Sequence, residues 1–376
     1  MKYDFIIVGA GITGATCARL LTDKGYKCVI IEERPFVGGN SVSDKQFNIE
    51  VHLFGPHIFH TNNKDVWDFV NTYTDFIPSN FNVMVSNENE LFSLSFDQKM
   101  LYDIYGKYFP RELQKVYNDD KLTLDNRSPE NLEEFISVKY SKTIYEKLFK
   151  NFYGKLYNIE PFRIIPQMSQ ISQEMTFFNN NGFYKDKYQG IPDEGYKTLI
   201  EKIIGDDIPI VLNTNFLANK DKYVALANHV IYTGEIDKFF NYCIGKLGWL
   251  STGFVIRDEI EHTNNLLGCP IMNFSDKNTK WFRITEHKWF DPEKHKDNIH
   301  TIVTYEYPRE WKIGDEAFYP FYTNQSLNLY SRYVEKLKEQ YPNVILCGRR
   351  AEYTMYSMGE CIESAMNLCS NFDFRS

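Results

Sequence analysis

The first forty residues constrain the fold more than any other stretch. Asp4-Phe5-Ile6-Ile7-Val8 is nearly all apolar, as a parallel strand covered on both faces must be. It runs into Gly9-Ala10-Gly11-Ile12-Thr13-Gly14 and then into a helical pattern from Ala15 to Lys24, which Gly25 closes as a C-cap. Cys28 to Ile31 is a second apolar run, ending in the acid Glu32. Strand, glycine turn, helix, strand and acid in this order form the full setting in which a G-x-G-x-x-G sequence holds a dinucleotide. Gly9 permits the tight turn, Gly11 lets a pyrophosphate approach the amides at the helix N-terminus, and Gly14 lets the helix lie on the strand. Glu32 follows Gly14 near the ~20-residue spacing at which an acid takes a ribose hydroxyl.

The next segment separates the possible dinucleotides. Glu33-Arg34-Pro35-Phe36-Val37-Gly38-Gly39-Asn40 resembles the E-x-R-x-x-x-G-G-N extension of FAD proteins. Its paired glycines allow close backbone approach to the cofactor. Arg34, Gly39 and Asn40 join the cofactor set on that ground.

The rest of the chain alternates between helical and strand patterns. Ile49 to Leu53 suits a strand, Trp67 to Tyr73 a helix, and residues 95–150 are mostly helical with polar breaks. Residues 155–187 are irregular and aromatic. Gly195 to Ile204 suits a helix, and Pro209 to Leu212 and His229 to Tyr232 suit strands that return to the nucleotide domain. Residues 250–307 alternate apolar and polar, as in antiparallel sheet. Ser326 to Gln340 is helical, Val344 to Cys347 a last parallel strand, and Gly359 to Leu368 a closing helix. The chain thus leaves the nucleotide domain and comes back twice.

Composition narrows the partners. A net charge of −8 argues against a nucleic-acid surface, so any phosphate-bearing ligand must be held by local cations. The seven cysteines are scattered and contain no C-x-x-C pair, which predicts reduced thiols in the cytoplasm and no metal site. A strand pattern that begins at Asp4 predicts no secretory leader, and no apolar run is long enough to span a membrane as a helix.

Several blocks together resemble the UDP-galactopyranose mutase family. They are Gly9 to Gly14, Gly38-Gly39-Asn40, Gly55-Pro56-His57-Ile58-Phe59-His60-Thr61, Tyr188 to Pro192 with Gly195-Tyr196, and Ile231 to Gly234 with Asp237. Arg283-Ile284-Thr285-Glu286-His287-Lys288, Glu310 to Glu316 with Phe318-Tyr319-Pro320, and Cys347-Gly348-Arg349 follow in family order. The resemblance implies an α/β fold: a discontinuous Rossmann-like FAD-binding domain (1–78, 193–243 and 326–376), a helical-bundle domain (79–150), and an antiparallel β-sheet domain (151–192 and 244–325). It implies a flavin-dependent isomerase that interconverts pyranose and furanose forms of a nucleotide-diphosphate sugar, for cell-surface polysaccharide. Reduced FAD would attack the anomeric carbon through N5, with no net redox change. A homodimer or other homo-oligomer is expected.

Residue by residue, the resemblance assigns Ile12, His57, Ile58, Arg349 and Met358 to the cofactor, beside Gly9, Gly11, Gly14, Glu32, Arg34, Gly39 and Asn40. Arg283, whose planar fork suits phosphate oxygens, His60 and Tyr319 are assigned to catalysis. Arg283, Tyr319, Tyr153, Tyr157, Phe183 and Met355 are assigned to the substrate. The departures fall in this last group. Tyr157 stands for a family tryptophan, Phe183 and Met355 for tyrosines, and Phe81, between Asn80 and Asn82, for an asparagine. No arginine occurs near Thr176, where the family's second diphosphate arginine is expected. Lys155, Lys185 or Lys187 is the expected substitute, and a sugar nucleotide other than plain UDP-galactopyranose is expected. Two other readings remain open at this point: an FAD-dependent oxidoreductase of the amine-oxidase type, and a flavin-binding relative with altered catalysis.

Overall fold

The structure is a computed structural model, and it describes residues 3–78, 81–169, 171, 173–178, 182–259 and 265–372. Five parallel strands form the nucleotide-domain sheet, in the order Ile210–Val211, Cys28–Ile31, Tyr3–Val8, Ala227–Tyr232 and Val344–Leu346. Alternation within the apolar runs sends side chains to both faces. Phe5, Ile7, Cys28, Ile30 and Ile231 enter one core, while Ile6, Val29, Ile31, Val230 and Tyr232 enter the other. This two-sided burial is why the runs lack polar residues.

The helix Ile12–Asp23 packs on one face against Met358–Ser370 and Gly195–Ile204. It ends at Lys24, and Gly25 follows with φ +85°. The helices Asn324–Gln340 and Met358–Ser370 both open on capping boxes, Thr323 with Ser326 and Ser357 with Glu360, which fix where each begins.

The second layer is a seven-stranded sheet. Its order is Tyr319–Pro320, Trp249–Asp258, Ile302–Glu310, Arg283–Glu286, Ile271–Phe274, Val83–Asn87 and Glu90–Ser93. All neighbours are antiparallel except Ile271–Phe274 with Val83–Asn87, which is parallel. The segment 83–93, grouped with the helices in the sequence reading, is thus a hairpin on this sheet. Val83, Val85 and Phe92 supply its buried positions. The helical unit comprises Gln98–Tyr105, Pro110–Asp119, Leu132–Lys139 and a run from Lys142 to Tyr157 with one π turn at Tyr145–Phe149. The polar break at Asn131 is the N-cap of Leu132–Lys139, accepting from the Glu134 amide at 2.9 Å. A small sheet of Phe59–Thr61, Tyr188–Pro192 and Phe76–Pro78 joins the layers.

Candidate active site

A cleft of about 610 Å³ opens at the carboxyl ends of the parallel strands, where a doubly wound sheet binds its ligands. One wall is the glycine loop, the Glu32–Arg34 turn and the segment after Val344–Leu346. The other is contributed by the seven-stranded sheet through Arg283, Phe318 and Tyr319, and by the Phe54–His60 loop with Tyr184.

The glycines are sterically fixed. A Cβ on Gly14 would lie 2.0 Å from the Gly9 carbonyl oxygen, and one on Gly39 (φ +57°) would lie 2.9 Å from the Gly11 Cα. Hence the two glycine loops of the sequence touch each other. No side chain caps the helix Ile12–Asp23 and no acid lies in its first turn, so its leading amides are turned toward the cleft for an anion.

Glu32 organises this wall. One carboxylate oxygen accepts from the Ala10 amide at 2.7 Å and the other from the Arg34 amide at 2.8 Å. Each oxygen keeps a lone pair for a ribose hydroxyl. Arg34 donates to the Gly39 carbonyl at 2.7 Å and the Asn40 side-chain oxygen at 2.8 Å, and pairs with Glu316 at 2.9 Å. Glu316 also pairs with Arg350, and these two guanidinium groups hold its carboxyl below the ordinary value against the effect of burial.

Histidines shape the floor. The His57 Nδ1 lies 2.7 Å from the Gly55 carbonyl, which makes Nδ1 the protonated nitrogen and leaves Nε2 as an acceptor. Burial pushes His57 down to about 4, so it is neutral near pH 7. Behind it, the His57 amide donates to His52 Nδ1 at 3.0 Å, and the His52 amide donates to His287 Nδ1 at 3.3 Å. His287 must then carry its proton on Nε2 and donate to Thr304 Oγ1 at 2.7 Å. His60 stacks on Tyr184 with ring centroids 3.8 Å apart and meets the Asp186 carboxylate at 3.1 Å.

Arg283 stands directly opposite Glu306 in the strand register, 3.4 Å from its carboxylate, and donates to Asn273 at 3.0 Å. Burial works against the arginine's charge, but Glu306, Tyr319 and Tyr184 face it and raise its value. Burial pushes Glu306 up, opposed by Arg283. The Arg349 guanidinium lies over the Tyr319 ring, 4.7 Å from its centroid.

Every residue assigned to the cofactor or to catalysis lines this one cleft: Gly9, Gly11, Ile12, Gly14, Glu32, Arg34, Gly39, Asn40, His57, Ile58, His60, Arg283, Tyr319, Arg349 and Met358. Four residues assigned to the substrate do not line it. Tyr153 and Tyr157 are buried and stacked on each other at 5.5 Å, and the Tyr157 hydroxyl is bonded to the Met168 carbonyl at 2.7 Å. Their i, i+4 spacing turns both rings into the helical core. Phe183 packs edge-on against Tyr184 at 4.8 Å, and Tyr184 rather than Phe183 meets the cleft. Met355 offers its sulfur to Arg349 at 3.2 Å. Phe81 is buried against Phe290, and Asn80 lies outside the described residues.

The lysines proposed as substitutes are also placed elsewhere. Lys155 donates to the Thr279 and Trp281 carbonyls, and burial pushes it down to about 8. Lys185 donates to the Gly182 carbonyl, and Lys187 lies over the Tyr188 ring. Sequence reasoning missed Glu306, Tyr184 and Arg350. The one available signal was an acid inside the apolar strand Ile302–Glu310, which requires a buried cation opposite it.

The fold and cleft define a dinucleotide-binding α/β enzyme with a cationic, aromatic wall facing its glycine loop. A Rossmann-like family model, described as NAD(P)-binding, matches residues 7–73. The UDP-galactopyranose mutase family model matches residues 147–355. The chain belongs to the UDP-galactopyranose mutase family. It is 30% identical to a probable UDP-galactopyranose mutase of Klebsiella pneumoniae, over 98% of this chain and 94% of that one. It is 29% identical to the dTDP-fucopyranose mutase of Escherichia coli, over 96% of each. A crystal structure of reduced UDP-galactopyranose mutase has the same fold, with a TM-score of 0.73 at 14% identity over 99% of this chain and 94% of that one. The protein is therefore an isomerase of the pyranose–furanose mutase class of flavoproteins, and the family takes nucleotide sugars. Among the described residues, no helix is long and apolar enough to cross a membrane.

Proposed function

We propose that this enzyme interconverts the pyranose and furanose forms of a nucleotide-diphosphate sugar, using bound FAD in its reduced form and with no net redox change. The observation that carries this reading is the joining, in one cleft, of an uncapped glycine-rich helix start to the Arg283, Tyr319 and His57 wall.

The residues present fit FAD. The contact between the Gly11 and Gly39 backbones leaves no room for a Cβ on Gly39, which gives a smooth cradle for a pyrophosphate. The amides after Gly11 would hold that pyrophosphate, Glu32 a ribose, and Arg34, Gly39 and Asn40 the linker beyond it. Ile12, His57, Ile58 and Met358 would contact the flavin. When bound and reduced, FAD supplies an electron-rich N5 nucleophile, which oxidised flavin lacks.

The chain's own groups then have defined tasks. Arg283 binds the diphosphate oxygens and takes up the charge that develops as the anomeric bond breaks. Its Glu306 and Asn273 contacts fix the guanidinium before substrate arrives, so little reorganisation is needed. Tyr319 adds a hydroxyl at the same point, and neutral His57 presents a hydrogen-bond acceptor without adding charge. His60, braced by Asp186 and Tyr184, closes the aromatic side against water.

The near-equal identity to a UDP-sugar and a dTDP-sugar mutase supports both nucleotides as candidates. Seven unpaired cysteines, five of them buried, support a reducing, cytoplasmic setting. We further propose a homo-oligomer, which light scattering of the purified protein would test.

The test is turnover of a panel that includes UDP-galactopyranose and dTDP-fucopyranose, separated by anion-exchange chromatography. Isomer should appear with dithionite-reduced protein only. Equal turnover with oxidised protein, or stoichiometric consumption of an oxidant, would reject the reading.

A further inference from the structure

The cleft lining carries five cations, Arg34, Lys238, Arg283, Arg349 and Arg350, and five carboxylates, Glu32, Glu33, Glu235, Asp315 and Glu316, but the charges are not evenly paired. Arg34 and Arg350 share Glu316, Arg350 also reaches Glu235, and Lys238 reaches Glu33 at 3.4 Å. Arg283 has Glu306 at 3.4 Å. Arg349 has no carboxylate partner among the described residues. Its guanidinium donates to the Tyr356 carbonyl and to the Met355 sulfur, each at 3.2 Å, and its buried Nε has no hydrogen-bond partner. A thioether is a weak acceptor, so most of the donor capacity of this fork is unspent.

The direction of the side chain matters as much as its partners. The Arg349 backbone follows the last parallel strand, beside the glycine-loop helix: a Cβ on Gly348 would lie 2.6 Å from Thr13 Oγ1. The guanidinium leaves that wall and crosses to the Tyr319 ring on the seven-stranded sheet. Arg283 also faces Tyr319, and both arginines act on His57. Two guanidinium groups from different sheets thus converge on one tyrosine, and burial would keep an unpaired cation there costly without an anion.

We propose that Arg349, with Arg283, binds the diphosphate of the nucleotide sugar, so that the second cation on the leaving group comes from the nucleotide domain. This rests on the nucleotide-sugar reading above. It gives Arg349 a substrate-binding role in place of a purely flavin-holding one. It also links the two walls of the cleft, since an anion held by both arginines ties the parallel sheet to the antiparallel one.

The test uses oxidised protein at saturating FAD, with UDP and dTDP as probes and calorimetric titration as the readout. Flavin occupancy is followed by absorbance. In Arg349→Met, the preferred nucleoside diphosphate should bind about 10- to 100-fold more weakly, the effect of losing a charge-assisted hydrogen-bonded pair, while the free nucleoside is unaffected. Arg349→Lys should recover part of the loss, because the charge is kept and the fork is not. Unchanged diphosphate affinity in Arg349→Met would overturn the proposal. So would an Arg349→Met protein that cannot take up FAD at saturation, since the side chain would then belong to the flavin. If wild-type protein binds neither UDP nor dTDP, the nucleotide-sugar reading itself fails, and this proposal with it.

Discussion

His287 should make the protein acid-sensitive by an amount that can be worked out. Its ring is fully enclosed, with Nδ1 accepting from the His52 amide and Nε2 donating to Thr304. Burial pushes it from the ordinary 6.5 down to about 3. The folded imidazole therefore binds a proton less readily than the unfolded one. Its effect on stability is negligible above pH 6.5, and destabilisation grows as pH falls from 6.5 toward 3. At pH 5 the unfolded ring is protonated and the folded ring is not, which costs about 2 kcal/mol relative to pH 7.5. A chain of this length unfolds with an entropy of roughly 0.8 kcal/mol/K, so the loss is about 2–3 °C in Tm. The raw shift of the wild type is a sum, because the half-buried Glu50 and the buried Glu306 are pushed up and act in the opposite sense. The decisive measurement is a comparison: melting at pH 7.5 and 5.0 for wild type and for His287→Gln, which cannot titrate. The variant should lose about 2–3 °C less on acidification, whatever its melting temperature at pH 7.5. If both proteins lose the same number of degrees, His287 is not held neutral by burial.

Three further outcomes follow from the cleft. Gly14→Ala puts a methyl group 2.0 Å from the Gly9 carbonyl oxygen, so the protein should purify with little or no flavin, read as the visible-to-ultraviolet absorbance ratio; a yellow, fully loaded variant would contradict the packing. Arg283→Ala should lower kcat/KM by several powers of ten, with flavin content unchanged, and Arg283→Lys should rescue poorly; near-normal kcat/KM in the alanine variant would place the leaving group elsewhere. Glu306→Gln should lower kcat/KM about tenfold through a loosened Arg283, at a cost of ~1–2 kcal/mol in positioning; unchanged kinetics would show that Asn273 alone orients the guanidinium.

What the sequence disclosed, and what it withheld, follows from the range of the interactions. The glycine loop, Glu32 and the Gly38-Gly39-Asn40 turn lie within one βαβ unit, so local spacing specifies them. The hairpin at 83–93 had a usable local signal in Val83, Val85 and the polar turn after Asn87, but its parallel pairing with Ile271–Phe274 depends on residues far along the chain. The Arg283–Glu306 pair exists only once the register of two strands is known. Tyr153 and Tyr157 were assigned to the substrate by resemblance. Yet an aromatic pair four residues apart on a helix packs as readily on a neighbouring helix as on a ligand, and only the Met168 carbonyl decides the matter for Tyr157.

The same distinction separates the cations of the cleft by task. Arg34 and Arg350 are saturated by Glu316 and Glu235 and act as struts between the glycine wall and the 310–316 segment. Arg283 is held by Glu306 and Asn273 but keeps further donors on its fork, and Arg349 has only a carbonyl and a thioether, so an incoming anion meets both charges without displacing a carboxylate. A cleft built wholly of saturated pairs would hold its shape but bind phosphates poorly; one built wholly of unpaired arginines would be costly to fold. Dividing the roles allows a stable fold and an anion-binding position at Tyr319 in the same cavity. The position is set by tertiary convergence, because one arginine begins a strand of the antiparallel sheet and the other follows the last strand of the parallel sheet.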